Sequence, residues 1–344
     1  MKTMKVAMYY SNNDVRIEEM PIPTISDDEL LVKVHSSGIC GSDVMEWYRL
    51  KTAPRVLGHE ITGDIVKVGK NVTNFTVGER VFVSHHVPCN TCQFCQNNQH
   101  TLCHTLHSTN FDPGGFAEYL RVPPINVTNG TFRLPDEVSY EEGVFIEPLA
   151  CVVRGFHIAK MKAGQTVVIL GSGIAGLIQI KLAQAMKAQT VIATDINEYR
   201  LKLAKKSGAD VVLNATEDIP KMIRKHNNGE LADLVILCAG VPAAVHQAFS
   251  SVRPGGTLLF FAMTKPGVDV PMHLFDVWNK QITIVSTYAG APDDINEAIT
   301  LLQQKKVKVT DLISHTLPLS EAAQGFQLVA QAQDSVKVIL QPSR

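Results

Sequence analysis

The chain has 344 residues, 45% of them hydrophobic, with 32 Lys and Arg against 33 Asp and Glu for a net charge of -1. That balance argues against a nucleic-acid binder held by a basic face, because phosphate affinity needs clustered cations, although it leaves room for a local patch, and at roughly 100 to 200 residues per domain the length favours two hydrophobic cores. No run approaches the roughly 18 apolar residues of a membrane span, and residues 1–10 carry no apolar core like that of a secretory signal, so a protein of the cytoplasm without a membrane partner is expected.

In chain order, the first 150 residues read as short strands and turns. Runs at 30–36, 61–68 and 80–84 are bounded by Gly and Pro, the texture of a β-rich domain. From residue 165 the texture changes. The unbroken apolar run 166–170 predicts a strand covered on both faces, followed by a glycine turn and helical spacing over 174–186. Strand-like 190–194, helical 198–206, and strand-like 211–213, 234–238, 256–262 and 282–286 continue the alternation. Alternating β and α elements mean a mostly parallel sheet, here of about six strands, the doubly wound form. The tail, 289–344, shows one helical stretch at 295–304 and a strand at 336–340; too short for a third domain, it is expected to return to the first.

Gly171-Ser-Gly173-Ile174-Ala175-Gly176 is a G-x-G-x-x-G turn, weak evidence by itself. Its context strengthens it. It follows a buried-type strand, opens a helix, and is followed at the end of the next strand by Asp195, nineteen residues past Gly176. Glycines let the backbone approach a pyrophosphate, which the free N–H groups and positive dipole end of the helix stabilise. Asp195 would accept from the ribose hydroxyls and repel a 2'-phosphate, favouring NAD over NADP, although Arg200 stands close behind and suits a phosphate.

Seven cysteines are an odd number, and four of them fall in Cys89-x2-Cys92-x2-Cys95-x7-Cys103. This is a zinc pattern and not a disulfide framework. Four thiolates leave no position for substrate, so the site is expected to be structural and to brace a lobe at 86–106. The flanking residues are mainly Gln, Asn, Thr and His, which argues against a nucleic-acid-binding zinc module. A second, scattered set comprises Cys40, His59 and Glu147, the donor types of a catalytic zinc with three protein ligands and one open position. Taken singly, each has an ordinary structural explanation.

Gly38-Ile-Cys40-Gly41-Ser42-Asp43, Gly58-His59-Glu60, the four-thiol lobe, Gly114-Gly115-Phe116-Ala117-Glu118-Tyr119, Glu147-Pro148-Leu149-Ala150 and Gly171 to Gly176 stand in one order along the whole chain. In this the sequence resembles the zinc-dependent medium-chain dehydrogenases, in particular the sorbitol (polyol) and threonine dehydrogenase branch. The resemblance implies an α/β protein with a GroES-like catalytic domain, 1–148 and 287–344, interrupted by a Rossmann NAD-binding domain, 149–286, with the active site in the cleft between them. It implies that Cys40 and His59 bind the catalytic zinc with either Glu60 or Glu147 as the third ligand, that Asp43 orients His59, and that Ser42 begins a proton relay. It further implies a homodimer or homotetramer, for which the 282–286 strand is a plausible seam.

Where many relatives carry a relay histidine this chain has Met45, so Glu60 or Glu147 is the expected proton exit. The branch's Arg-Tyr pair is replaced by Thr287-Tyr288, and a tyrosine of the branch by Glu46, whose acid would suit an amino-alcohol or a differently arranged polyol. Trp47, Tyr48 and Phe111 are candidate pocket walls, each against the commoner role of a core aromatic. The expected reaction is NAD-dependent, zinc-requiring oxidation of a secondary alcohol of a polyol or sugar-like substrate to a ketone. L-Threonine or another amino-alcohol is the alternative substrate, and a noncatalytic NAD-binding protein the remote one.

Overall fold

The computed structural model describes residues 2–262 and 264–343; Met1 and Arg344, the ends of the span expected for the first domain, lie outside them. The chain divides into two compact units, one of Met1–Ala150 with Ala289–Arg344 and one of Cys151–Tyr288.

The first unit is built on a seven-stranded sheet. Its strands run in the order Ile313–Pro318, Lys337–Gln341, Leu30–Ile39, Glu60–Val68, Arg80–Val83 and Thr131–Arg133, and Tyr119–Val122 pairs with the first half of Leu30–Ile39. Val32, Val34, Ile61 and Ile65 alternate inward and are wholly buried, as a strand with one covered face requires. A smaller three-stranded sheet, Asp14–Pro21, Thr3–Ser11 and Arg55–Val56, packs Met4, Val6 and Tyr9 into a second core with Phe116, Phe326 and Leu340. The returning tail thus contributes strand and core alike.

The tail holds more than its sequence pattern announces: helices Pro292–Gln303 and Ala322–Gln331 and strands Ile313–Pro318 and Lys337–Gln341. The second helix was not expected because Gly325 and three glutamines interrupt its apolar face. Tertiary packing overrides that weak local signal. Phe326 is wholly buried, and a Cβ on Gly325 would lie 2.8 Å from Ile39 Cδ1, so the helix lies tight against the central strand.

The second unit is a six-stranded, all-parallel sheet in the order Val211–Asn214, Thr190–Asp195, Thr166–Leu170, Ala232–Leu237, Val252–Phe260 and Thr283–Ser286. The sequence-ordered strands fall as 3-2-1-4-5-6, the doubly wound dinucleotide arrangement. Thr166–Leu170 lies between two neighbours and under helices, and all five of its residues are buried. Val252–Phe260 begins four residues before the expected 256 because Arg253, Pro254 and Gly255 break its apolar run without breaking its path. Thr283–Ser286 is an edge strand.

Candidate functional site

Cys40 follows directly on the strand Leu30–Ile39 and caps the short 3-10 turn Gly41–Val44, where Ser42 N–H donates to its sulfur at 3.5 Å and its own N–H donates to Asp43 Oδ2 at 3.0 Å. Antiparallel register sets Gly38 opposite Glu60. That pairing carries His59 and Glu60 to Cys40 although they stand nineteen and twenty residues away in sequence. One donor atom each from Cys40, His59 and Glu60 fall within 4.8 Å of one another.

Behind these donors, Asp43 is wholly buried, with Oδ1 3.4 Å from His59 Nδ1 and 3.2 Å from Arg49 Nη2. Burial alone would raise the Asp43 carboxyl, but His59, Arg49 and the Cys40 amide outweigh it and hold the group below its ordinary range. With Nδ1 turned to Asp43, Nε2 is the imidazole nitrogen left for a metal. Arg49 also donates from Nη2 to Ser42 Oγ at 3.0 Å and from Nε to Ser42 O at 2.9 Å. One guanidinium therefore fixes both the hydroxyl of Ser42 and the carboxylate behind His59; sequence reasoning had not singled it out.

Lys337 was missed as well. It is 1% exposed, and its Nζ lies 2.6 Å from Oε2 of the equally buried Glu60. Burial would lower the lysine, yet the negative groups of Glu60, Cys40 and Glu147 outweigh it, so the amine stays an ammonium. The available signal was a lysine leading into the apolar run Val338, Ile339 and Leu340 of the strand Lys337–Gln341. Glu60 Oε1 is buried and has no hydrogen-bond partner among the described residues. A buried carboxylate oxygen is costly to leave bare. An unpartnered oxygen on a carboxylate that stands with a thiol and an imidazole fits a bound cation.

Glu147 falls outside that group of donors. Half-buried at the start of the helix Ile146–Ile158, it lines a cavity with Ser84, His85, His86, Ala150, Ala289, Gly290 and Ile295. His85 stacks on His86 at 3.8 Å and lies 4.8 Å from the His59 ring. Burial, reinforced by neighbouring cations, holds His85 well below its ordinary range and His86 at about 4, so both are neutral near pH 7. Neither histidine had been expected here; their position before the four-thiol lobe was the only hint.

Glu46 Oε1 accepts from Asn12 N–H at 2.9 Å. Phe111 is 2% exposed and packs with Leu30, Val32 and Leu120, so it is a core residue and walls no pocket. Trp47 and Tyr48 are exposed on the short helix Glu46–Arg49.

In the lobe, Cys89, Cys92, Cys95 and Cys103 place their sulfurs within 4.8 Å of one another. Cys92 and Cys95, like Cys89 and Cys103, are 3.6 Å apart, and all four are free thiols. Backbone N–H groups of Cys92 and Cys89 point at the sulfurs of Cys89 and Cys103, at 3.3 and 3.5 Å. Apart from the cysteines, the local apolar cluster contains only Leu106. So little apolar mass cannot hold a lobe, and the donor set fits a tetrahedral zinc that serves as its core.

In the second unit the glycine turn sits between the strand Thr166–Leu170 and the helix Ile174–Ala185. Gly171 has φ +102°, and a Cβ on Gly176 would collide with the Gly171 carbonyl oxygen, so the fold itself requires both. Gly173 differs. A Cβ there would meet nothing nearer than Arg200 Nη1 at 4.0 Å, so the space above the turn is open for a ligand. Ile174 and Ala175 form the first turn of the helix, whose N–H groups face that space. Asp195, 7% exposed at the end of Thr190–Asp195, accepts from Ser172 N–H at 2.8 Å and Asn197 N–H at 2.9 Å, with Arg200 Nη1 3.9 Å away.

A β-rich unit bearing two sets of metal donors, joined in one chain to a doubly wound sheet, defines a zinc-binding dehydrogenase. The alcohol dehydrogenase GroES-like domain family matches residues 26–136, and the zinc-binding dehydrogenase family matches residues 175–304. Sorbitol dehydrogenase of Gallus gallus is 32% identical over 338 residues, covering 95% of this chain and 93% of that protein. Sorbitol dehydrogenase of Bacillus subtilis is 31% identical over 353 residues, covering 100% and 98%. Among solved structures, a protein assigned as a zinc-binding dehydrogenase from Sinorhizobium meliloti, bound to NADP, superposes with a TM-score of 0.89 at 30% identity over 99% of this chain and 100% of that one. The chain belongs to the zinc-dependent medium-chain dehydrogenases, in their polyol branch, and is an oxidoreductase.

Proposed function

We propose that this enzyme oxidises a secondary alcohol of a polyol or sugar-like substrate to a ketone, with NAD as hydride acceptor. The observation that carries this reading is the convergence of Cys40, His59 and Glu60 with Asp43 behind the imidazole and an orphaned oxygen on Glu60. A zinc ion held by these three residues supplies a Lewis acid for the alcohol oxygen, and the nicotinamide supplies the hydride acceptor.

The chain's own residues do the rest. Asp43 keeps the His59 ring in one orientation and strengthens it as a donor. Ser42, held by Arg49, is the first carrier of the substrate proton; Met45, 45% exposed, cannot pass it on. Of the two acids considered for proton exit, Glu60 is enclosed and bound to Lys337, whereas Glu147 lines the cavity with His85 and His86, so the exit is assigned to Glu147. Asp195 selects NAD, because its carboxylate faces the turn and repels a 2'-phosphate. All seven cysteines are free thiols, which suits a reducing cytoplasm.

A panel of polyols and amino-alcohols assayed with NAD and NADP tests this reading. A polyol with NAD should turn over fastest, and Asp195→Ala should lower the NAD:NADP ratio of kcat/KM by about 10- to 100-fold, the worth of a hydrogen bond to a charged group. Fastest turnover of threonine, or an NADP preference in the wild type, would overturn it.

We further propose self-association through the second unit. The edge strand Thr283–Ser286 bears Ile284 at 37% exposure, and the helix Leu274–Asn279 leaves Leu274, Phe275 and Trp278 at 68%, 69% and 73%. An open strand edge beside apolar side chains suits pairing with the same edge of a second copy. Sedimentation velocity at micromolar concentration should show a dimer or larger in the wild type and a smaller species for Ile284→Lys; a monomeric wild type would refute the proposal.

A further inference from the structure

Lysine is among the residues least often wholly buried, because an ammonium removed from water needs a partner to offset its desolvation. Lys337 is buried to 1% and has that partner in Glu60, two strands across the sheet. The register explains how it reaches. Ile339 and Glu60 both stand opposite Gly38, one on each side of the central strand, and Lys337, two residues from Ile339, projects on the same face. Gly38 has no side chain, and a Cβ there would collide with Glu60 Oε2, the oxygen that Lys337 holds. The gap over Gly38 is the channel through which the ammonium meets the carboxylate.

The two oxygens of Glu60 are thereby made unequal. Oε2 accepts from Lys337 at 2.6 Å, while Oε1 is buried and bare of hydrogen bonds among the described residues, and the carboxylate belongs to a group whose other members are a thiol and an imidazole. We propose that Lys337 is the positioning residue of the catalytic metal site: it engages Oε2, fixes the carboxylate plane, and so presents Oε1 alone to the zinc. This rests on the reading that Cys40, His59 and Glu60 hold that zinc. Partners that orient a metal ligand from behind typically change metal affinity 10- to 100-fold when removed. An ammonium also repels a nearby cation, so the two effects of Lys337 oppose each other and a measurement of affinity separates them.

The test is zinc affinity measured by chelator competition, with metal per chain counted by mass spectrometry, in full-length wild type, Lys337→Met, Lys337→Gln and Cys40→Ala. Lys337→Met should bind the catalytic zinc about 10- to 100-fold more weakly while keeping the lobe zinc. Lys337→Gln, which retains an N–H donor without the charge, should lie closer to wild type. Unchanged or tighter binding in Lys337→Met, or equal loss in both variants, would overturn the proposal. Should Lys337→Met not fold, Lys337→Gln against wild type carries the comparison, and affinity more than about 100-fold below wild type there would count against positioning by a hydrogen bond. Cys40→Ala is the independent arm: if it still holds two zinc ions per chain, the ligand assignment itself fails, whatever Lys337 does.

Discussion

Cys40→Ala should reduce NAD-linked alcohol oxidation by about a thousandfold or more in kcat/KM, since the Lewis acid it helps to hold is worth several kcal/mol of barrier and each 1.36 kcal/mol is tenfold. The chain should stay folded. Cys40 lies at the end of a strand whose inward residues, among them Val32, Val34 and Ile39, remain buried with or without the thiol. Metal content should drop from two zinc ions per chain to one, with near-ultraviolet circular dichroism unchanged. Wild-type NADH production by this variant would end the catalytic assignment of Cys40, His59 and Glu60 together.

The second large effect is on stability. Cys103→Ser should lose the lobe zinc and destabilise the first unit by several kcal/mol, lowering the melting temperature by about 10 °C at roughly 2–4 °C per kcal/mol for a domain of this size. The reason is local: Cys95, Cys103 and Leu106 are the whole buried apolar cluster of the lobe, with Cys89 and Cys92 packed against it. Without the ion, four thiols about 3.6 Å apart in pairs have no reason to remain together. Limited proteolysis should cut first within residues 86–106. A melting temperature within 2 °C of wild type after confirmed loss of that zinc would show that the lobe folds on other contacts. The two variants dissociate the two metals, one affecting turnover without the fold and the other the fold first.

Much of the second unit was legible because its signals are local. The strand 166–170 and helix 198–206 coincide with the structure residue for residue, since a fully buried parallel strand reads as an unbroken apolar run and the helix as a stretch of helical spacing. The four-thiol lobe was equally plain because its donors share one short segment. In the first unit, the hairpin of Thr3–Ser11 and Asp14–Pro21 and the helix Ala322–Gln331 were not read from the pattern. Their apolar residues serve a core assembled from both ends of the chain, so no short window displays it.

The candidate metal donors lie between these cases. Cys40, His59, Glu60 and Glu147 were all named from motif resemblance, but which acid stands with the thiol and imidazole depends on Gly38 pairing with Glu60, a register that no spacing along the chain specifies. Lys337 was invisible for the same reason: a lysine 277 residues from its carboxylate acquires meaning only when the last strand is laid beside Leu30–Ile39. Donor types, the glycine turn and the change of texture between the two parts are readable along the chain, because they rest on local spacing and hydrophobic period. Which oxygen of which acid is left bare emerges only on folding, because burial and charge pairing are properties of segments brought together from opposite ends of the chain.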